Sequence, residues 1–113
     1  MPALEIISNV APKNLDAFVK TLSGKFAGFM GKPEAYCLVT FVKADLVTFA
    51  GSSDPAALIK ISSIGAVGPD ENKESSKQLA DYLASELGIP GNRFYIFFTD
   101  FPGSSVGFNG STF

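Results

Sequence analysis

Two helix stops of the same form divide the chain. Gly31-Lys32-Pro33 closes one apolar stretch of helical spacing and Gly88-Ile89-Pro90 closes another, and each is followed three residues later by a β-rich run. Before the first stop, Leu15, Phe18, Val19, Leu22, Phe26 and Met30 recur at the interval of one helix face. Before the second, the polar stretch Pro69 to Ser76 leads into a helix carrying Leu79, Tyr82, Leu83 and Leu87. The flanking β-runs are Ala3 to Ser8, Tyr36 to Val42, Leu58 to Ile64 and Phe94 to Thr99. The order strand, helix, strand therefore occurs twice, and a βαβ crossover is right-handed in nearly all proteins. Two such units in one sheet place both helices on one face, so the expected fold class is α+β, a duplicated βαβ unit with a four-stranded mixed sheet. The other face is left bare.

Local expectations complete this outline. Tyr36 to Val42 is continuously apolar, which suits a strand covered on both faces, and Leu46 to Ala50 reads either as its extension or as a shorter strand after it. The tail Val106 to Phe113 holds Asn109-Gly110, a pair that favours a tight hairpin, and its short strands could pair with a sheet edge of this chain or of a neighbour. The segment Gly51 to Pro55 reads as a turn without a catalytic role, since it lacks the glycine spacing and lysine of a phosphate loop.

At 113 residues the chain suits a single domain, residues 1–113. Hydrophobic residues make up 46% of it and eleven are Phe, more apolar surface than so small an interior can hide, which points to an oligomer. A net charge of -2 disfavours nucleic acid as a partner, because such binding depends on clustered Lys and Arg. No run approaches the length of a membrane span and the first residues do not read as a signal peptide, so neither membrane nor signal-directed export is expected. Cys37, the one cysteine, reads as a buried strand residue. The chain has no histidine, so acid–base chemistry near pH 7 must use a carboxylate, lysine, tyrosine or a terminal amine.

That last option is available at Met1-Pro2. Removal of Met1 would leave Pro2 with a free secondary amine; an α-amino group titrates near about 7.7–8.0, and an apolar site or a nearby cation lowers it further. Lys32, next to the helix-ending Gly31, is suited to a substrate carboxylate and to depressing such an amine. Tyr36, Tyr95, Phe97, Phe108 and Phe113 are core or interface aromatics by default.

Taken in order, Met1-Pro2, Gly31-Lys32-Pro33 with Tyr36, Gly51-Ser52-Ser53-Asp54-Pro55-Ala56, Ser63-Ile64-Gly65, Arg93 with Tyr95-Ile96, and Val106 through Phe113 resemble the family of macrophage migration inhibitory factor and D-dopachrome tautomerase, part of the tautomerase superfamily. The resemblance implies a homotrimer whose three sheets form a central barrel, with sites at subunit interfaces. It implies a keto-enol tautomerase acting on phenylpyruvate-like and dopachrome-like compounds, needing no cofactor and no metal, with Pro2 as the catalytic base once Met1 is removed. Lys32 would hold the substrate carboxylate, the Ile64 amide would donate a hydrogen bond, and Tyr95 of an adjacent subunit would face the substrate. Tyr36, Val106 and Phe113 would line the pocket.

The chain departs from that family's best-known members at several positions. Ala56-Ala57-Leu58-Ile59 replaces a Cys-x-x-Cys pair, so no thiol oxidoreductase activity is expected. Phe97 stands in place of Asn, Phe108 in place of a pocket-rim Trp, Ser62 in place of His, and Ala3 in place of a bulkier Met. The resemblance also implies an alternative, a cytokine-like signalling protein that binds a cell-surface receptor and has little physiological catalysis. By the same resemblance the chain would be cytoplasmic or exported by a nonclassical route. A third class, an RNA-binding domain of βαββαβ order, is suggested by Phe94 to Phe98 and disfavoured by the acidic charge.

Overall fold

Strand β1 (Pro2–Ser8) alternates strictly between buried and half-buried residues, as a strand with one core face must. The computed structural model describes residues 1–113. Helix α1 (Leu15–Met30) follows, opened by Asn14, whose side chain accepts from the Ala17 amide at 3.0 Å. Then come β2 (Leu38–Lys43), β3 (Ala57–Ser63), α2 (Pro69–Leu87) and β4 (Phe94–Asp100), with a terminal hairpin of β5 (Gly107–Phe108) and β6 (Ser111–Thr112). The sheet order is β2-β1-β3-β4. β1 runs parallel to β2 and β3 parallel to β4, while the two units meet antiparallel along β1 and β3. This is the duplicated βαβ arrangement with its four-stranded mixed sheet.

The glycines of the repeated stop act alike. Gly31 and Gly88 both take the left-handed conformation, at φ 64° and 65°, which glycine adopts without the steric cost of a Cβ. The Gly31 and Lys32 amides turn back to the carbonyls of Gly28 and Ala27, and those of Gly88 and Ile89 to Ala84 and Leu83. Each helix is thereby closed by two backbone hydrogen bonds, and the chain is returned to the sheet.

Both helices cover one face of that sheet. Leu4 and Ile6 from β1, with Ile59 and Ile61 from β3, meet Phe18, Leu22, Phe26 and Met30 of α1 and Leu79 and Leu83 of α2 in one cluster of 13 buried residues. The opposite face has no cover within the chain. Pairing register sets Val42, Ile7, Leu58 and Tyr95 side by side as one apolar row across all four strands, and Thr40, Glu5, Lys60 and Phe97 as the next. Leu38, Val42, Leu58, Tyr95 and Phe97 are exposed there.

Some local expectations are corrected. Tyr36 belongs to a one-turn 3₁₀ segment, Glu34–Tyr36, and β2 begins only at Leu38. The Tyr36 and Cys37 amides bond to the Pro33 and Glu34 carbonyls, which ends the turn before the strand starts. β2 is also an edge strand with one face bare within the chain, so the chain itself covers it on one side only. Cys37 is half-buried just before that strand. Leu46 to Ala50 forms no strand; only a single bridge joins Phe49 and Ser52 around a turn.

That loop is instead held by side chains. The Arg93 guanidinium donates to the carbonyls of Phe49, Ser52, Asp54 and Pro55 at 2.9–3.1 Å, and Asn9 bonds to Val47, Ser53 and Asp54 carbonyls and the Ala56 amide. Helix α2 starts at Pro69, so the polar stretch forms its first turns. Proline needs no amide partner at that position, and Asp70 and Glu71 face the positive end of the helix dipole. The tail hairpin turns through Asn109 and Gly110, both at positive φ, and its strands pair with each other.

Candidate functional site

Pro2 opens the central strand β1 and is fully buried. Its direct partner across the antiparallel pair is Ser63, the last residue of β3 and also fully buried. Beyond this pair the chain turns sharply, with Gly65 at φ 76° and Ala66 at φ 59°. The turn is fixed from three directions. The Phe101 amide donates to the Ser63 carbonyl at 2.8 Å, the Gly65 amide to the Asp100 carboxylate at 2.9 Å, and Lys32 Nζ to the Ile64 carbonyl at 3.1 Å.

The helix stop explains how Lys32 arrives there. Left-handed Gly31 redirects the chain off α1, and Lys32, half-buried, reaches across to the β3 turn. No carboxylate pairs with it, since the one salt bridge in the chain joins Lys20 and Asp16. The ammonium has three protons and one is committed to Ile64, so further donors remain for an incoming anion. Pro2, Lys32 and Ile64 are therefore brought together by the ends of three elements.

An aromatic wall adjoins them. Ala3 pairs with Leu38, which places the preceding Tyr36-Cys37 segment beside the start of β1. Burial pushes the Cys37 thiol up, the amino-terminal ammonium opposing this and Glu34 adding to it. Tyr36 meets Phe108 and Phe113 edge-on at 5.8 and 6.2 Å between ring centres, and those two rings stack at 5.2 Å. Val106 joins by its carbonyl, which accepts from the Phe113 amide at 3.2 Å.

Tyr95 and Phe97 stand apart. Tyr95 lies in the sheet row of Ile7, far along β1 from Pro2 and two strands across. At the usual strand rise this is about 16 Å along the sheet before the lateral distance is added. Tyr95 packs on Phe49 at 5.1 Å and on Phe97 at 6.4 Å, and both residues are more than half exposed on the bare face. Within one chain they form a separate aromatic surface.

Two more residues form the site: Ser63, which stands in the Ser63-Ile64-Gly65 motif but receives no role from sequence reasoning, and Asp100, which sequence reasoning does not single out. The alternation of β3, buried at Ala57, Ile59, Ile61 and Ser63, is the signal that places Ser63 on the same face as Pro2. Asp100 carries no comparable signal, because its role depends on the parallel pairing that sets it beside Ser63. A cavity of about 700 Å³ lies elsewhere, between α1 and α2, where Lys25 sits over the Tyr82 ring. It contains none of the residues above. No three His, Cys, Asp or Glu side chains converge to hold a metal ion.

Comparison with known proteins agrees over the whole chain. The family model described as macrophage migration inhibitory factor matches residues 1–113. The macrophage migration inhibitory factor homolog of Trichuris trichiura is 43% identical, and the alignment covers 100% of both chains. The macrophage migration inhibitory factor of Xenopus tropicalis is 39% identical over 100% of this chain and 99% of its own. Among solved structures, the homologue from Prochlorococcus marinus superimposes with a TM-score of 0.92 at 34% identity, covering 98% of each chain.

Proposed function

The chain belongs to the macrophage migration inhibitory factor family, and on that premise we propose that it is a keto-enol tautomerase with Pro2 as its general base after removal of Met1. The observation that carries this reading is the convergence of Pro2, Lys32 and the Ile64 segment beside the Tyr36, Phe108 and Phe113 rings. Each group has a task in moving a proton between carbon and oxygen.

With Met1 removed, the Pro2 nitrogen is a secondary amine held on a buried strand. Desolvation and the Lys32 ammonium both favour its neutral form, which is the form a base needs near pH 7. Lys32 takes the carboxylate of a 2-oxo acid through its uncommitted donors. That fixes the carbon next to the carbonyl against the Pro2 nitrogen, and the Ile64 amide donates to the substrate. The aromatic wall receives an aryl group.

The bare apolar face and the distance of Tyr95 both support a homotrimer in which a neighbouring copy supplies Tyr95 and Phe97 to the site. Phe97 has no hydrogen-bonding atom on its ring, so this rim favours apolar aryl substrates. No helix is long and apolar enough to cross a membrane.

Assay of the Met1-free protein on phenylpyruvate and on a dopachrome ester tests the reading. Phenylpyruvate is expected to turn over, and the polar dopachrome ester more slowly. Absence of turnover on both contradicts the tautomerase assignment, while equal rates contradict only the role given to Phe97.

A further inference from the structure

We infer that the Ser63 hydroxyl is a catalytic hydrogen-bond donor, and that with the Ile64 amide it forms a two-donor site for the substrate oxygen that becomes an enolate. The inference rests on the tautomerase reading and deepens it. It is drawn from what Met1 does while it is still attached.

The Met1 carbonyl oxygen accepts two hydrogen bonds, from Ser63 Oγ at 3.2 Å and from the Ile64 amide at 3.4 Å. That oxygen is two covalent bonds from the Pro2 nitrogen. Two donors thus converge on an oxygen immediately beside the nitrogen that serves as base. They are also firmly placed, because the Phe101 amide holds the Ser63 carbonyl and Lys32 holds the Ile64 carbonyl. The backbone bond at Met1 and Ile64 makes Pro2 and Ser63 the neighbouring non-hydrogen-bonded pair, in which side chains lie closest.

Processing removes the acceptor and leaves both donors. Ser63 is 0% exposed, and the Met1 carbonyl oxygen is the acceptor its hydroxyl has in the structure. With Met1 gone, the Ser63 hydroxyl and the Ile64 amide still converge beside the Pro2 nitrogen, so the processed site favours a ligand that brings an oxygen within reach of both. A 2-oxo acid held by Lys32 through its carboxylate brings its ketone oxygen within reach of both donors, set outward from the former Met1 carbonyl position by contact with the Pro2 nitrogen, while the adjacent carbon faces Pro2.

The chemistry balances without a further reactant. Pro2 takes the proton from carbon, and the electron pair of the broken C–H bond becomes the C=C bond. The carbonyl π pair moves to oxygen, where the Ser63 O–H and Ile64 N–H meet the developing charge. The proton on Pro2 then passes to that oxygen, giving the enol and the free amine. Donors aimed at an oxygen whose charge grows in the transition state act on rate more than on substrate binding.

Ser63→Ala, prepared without Met1, tests this on phenylpyruvate. The expected result is a loss of about 100-fold in kcat with KM within about twofold, the lower end of the effect of deleting one oxyanion donor. Ser63→Cys, which keeps a weaker donor, is expected to fall between the two. Thermal unfolding midpoints and gel-filtration volumes of both variants matching the parent exclude a folding defect as the cause. If the parent turns over phenylpyruvate and Ser63→Ala retains kcat within twofold, the inference is overturned. If the processed parent itself has no turnover, the tautomerase reading fails first and the inference with it.

Discussion

Replacing Pro2 by glycine is expected to lower kcat/KM for phenylpyruvate by about 10²–10⁴, the usual contribution of a positioned general base. Glycine also leaves an amino-terminal amine, so the variant tests placement and not only the presence of nitrogen. The proline ring blocks rotation about the N–Cα bond and fills the first position of β1 against Ser63. Glycine removes that packing and frees the backbone, so the amine no longer occupies one position beside Lys32 and the Ile64 turn. Initial-rate kinetics, with circular dichroism to establish that the sheet persists, give the answer. Activity within about threefold of the parent contradicts a base located at Pro2.

The second large effect concerns stability. Phe26→Ala is expected to destabilise the chain by about 3–5 kcal/mol, the range for deleting a buried aromatic ring from a packed core. Phe26 is 0% exposed, contacts Phe29 edge-on at 5.5 Å, and belongs to the cluster that joins both helices to the sheet. The cavity left behind lies under the helix that ends at Gly31 and Lys32, so the loss reaches the element that delivers Lys32 to the site. Urea titration at fixed protein concentration measures it, and a cost below about 1 kcal/mol contradicts Phe26 as a core residue.

The fold was legible because its signals are local and strong. The helical spacing from Leu15 to Met30 and the stops at Gly31 and Gly88 mark the elements, and Asn109-Gly110 marks the last hairpin. The errors arose where periodicity is silent. Pro69 to Ser76 has almost no apolar residues, so the first turns of α2 show no face, and only the proline and acidic pair at the start report the helix. Tyr36 is apolar and adjacent to β-formers, yet bonds to the preceding turn take it out of the strand.

The site was legible in part for a related reason. Pro2 and Lys32 bear recognisable chemistry, and the register of β1 with β3 brings Ile64 to them. Ser63 and Asp100 matter through hydrogen bonds formed across strands distant in sequence, as Arg93 does for the loop it holds. Tyr95 and Phe97 belong to the bare sheet face, and their proposed place in the site depends on a second copy. Pattern along one chain does not contain that geometry.

In the structure with Met1 attached, the Pro2 nitrogen is a tertiary amide and has no basic lone pair. Catalysis by Pro2 therefore requires that Met1 be gone. The most direct measurement follows phenylpyruvate tautomerisation and intact mass together while an aminopeptidase removes Met1 from the purified, unprocessed protein. Activity is predicted to be absent at the start and to rise in proportion to the fraction of chains beginning at Pro2. Turnover that is already full while the mass shows Met1 intact, or that stays absent after its complete removal, contradicts the account.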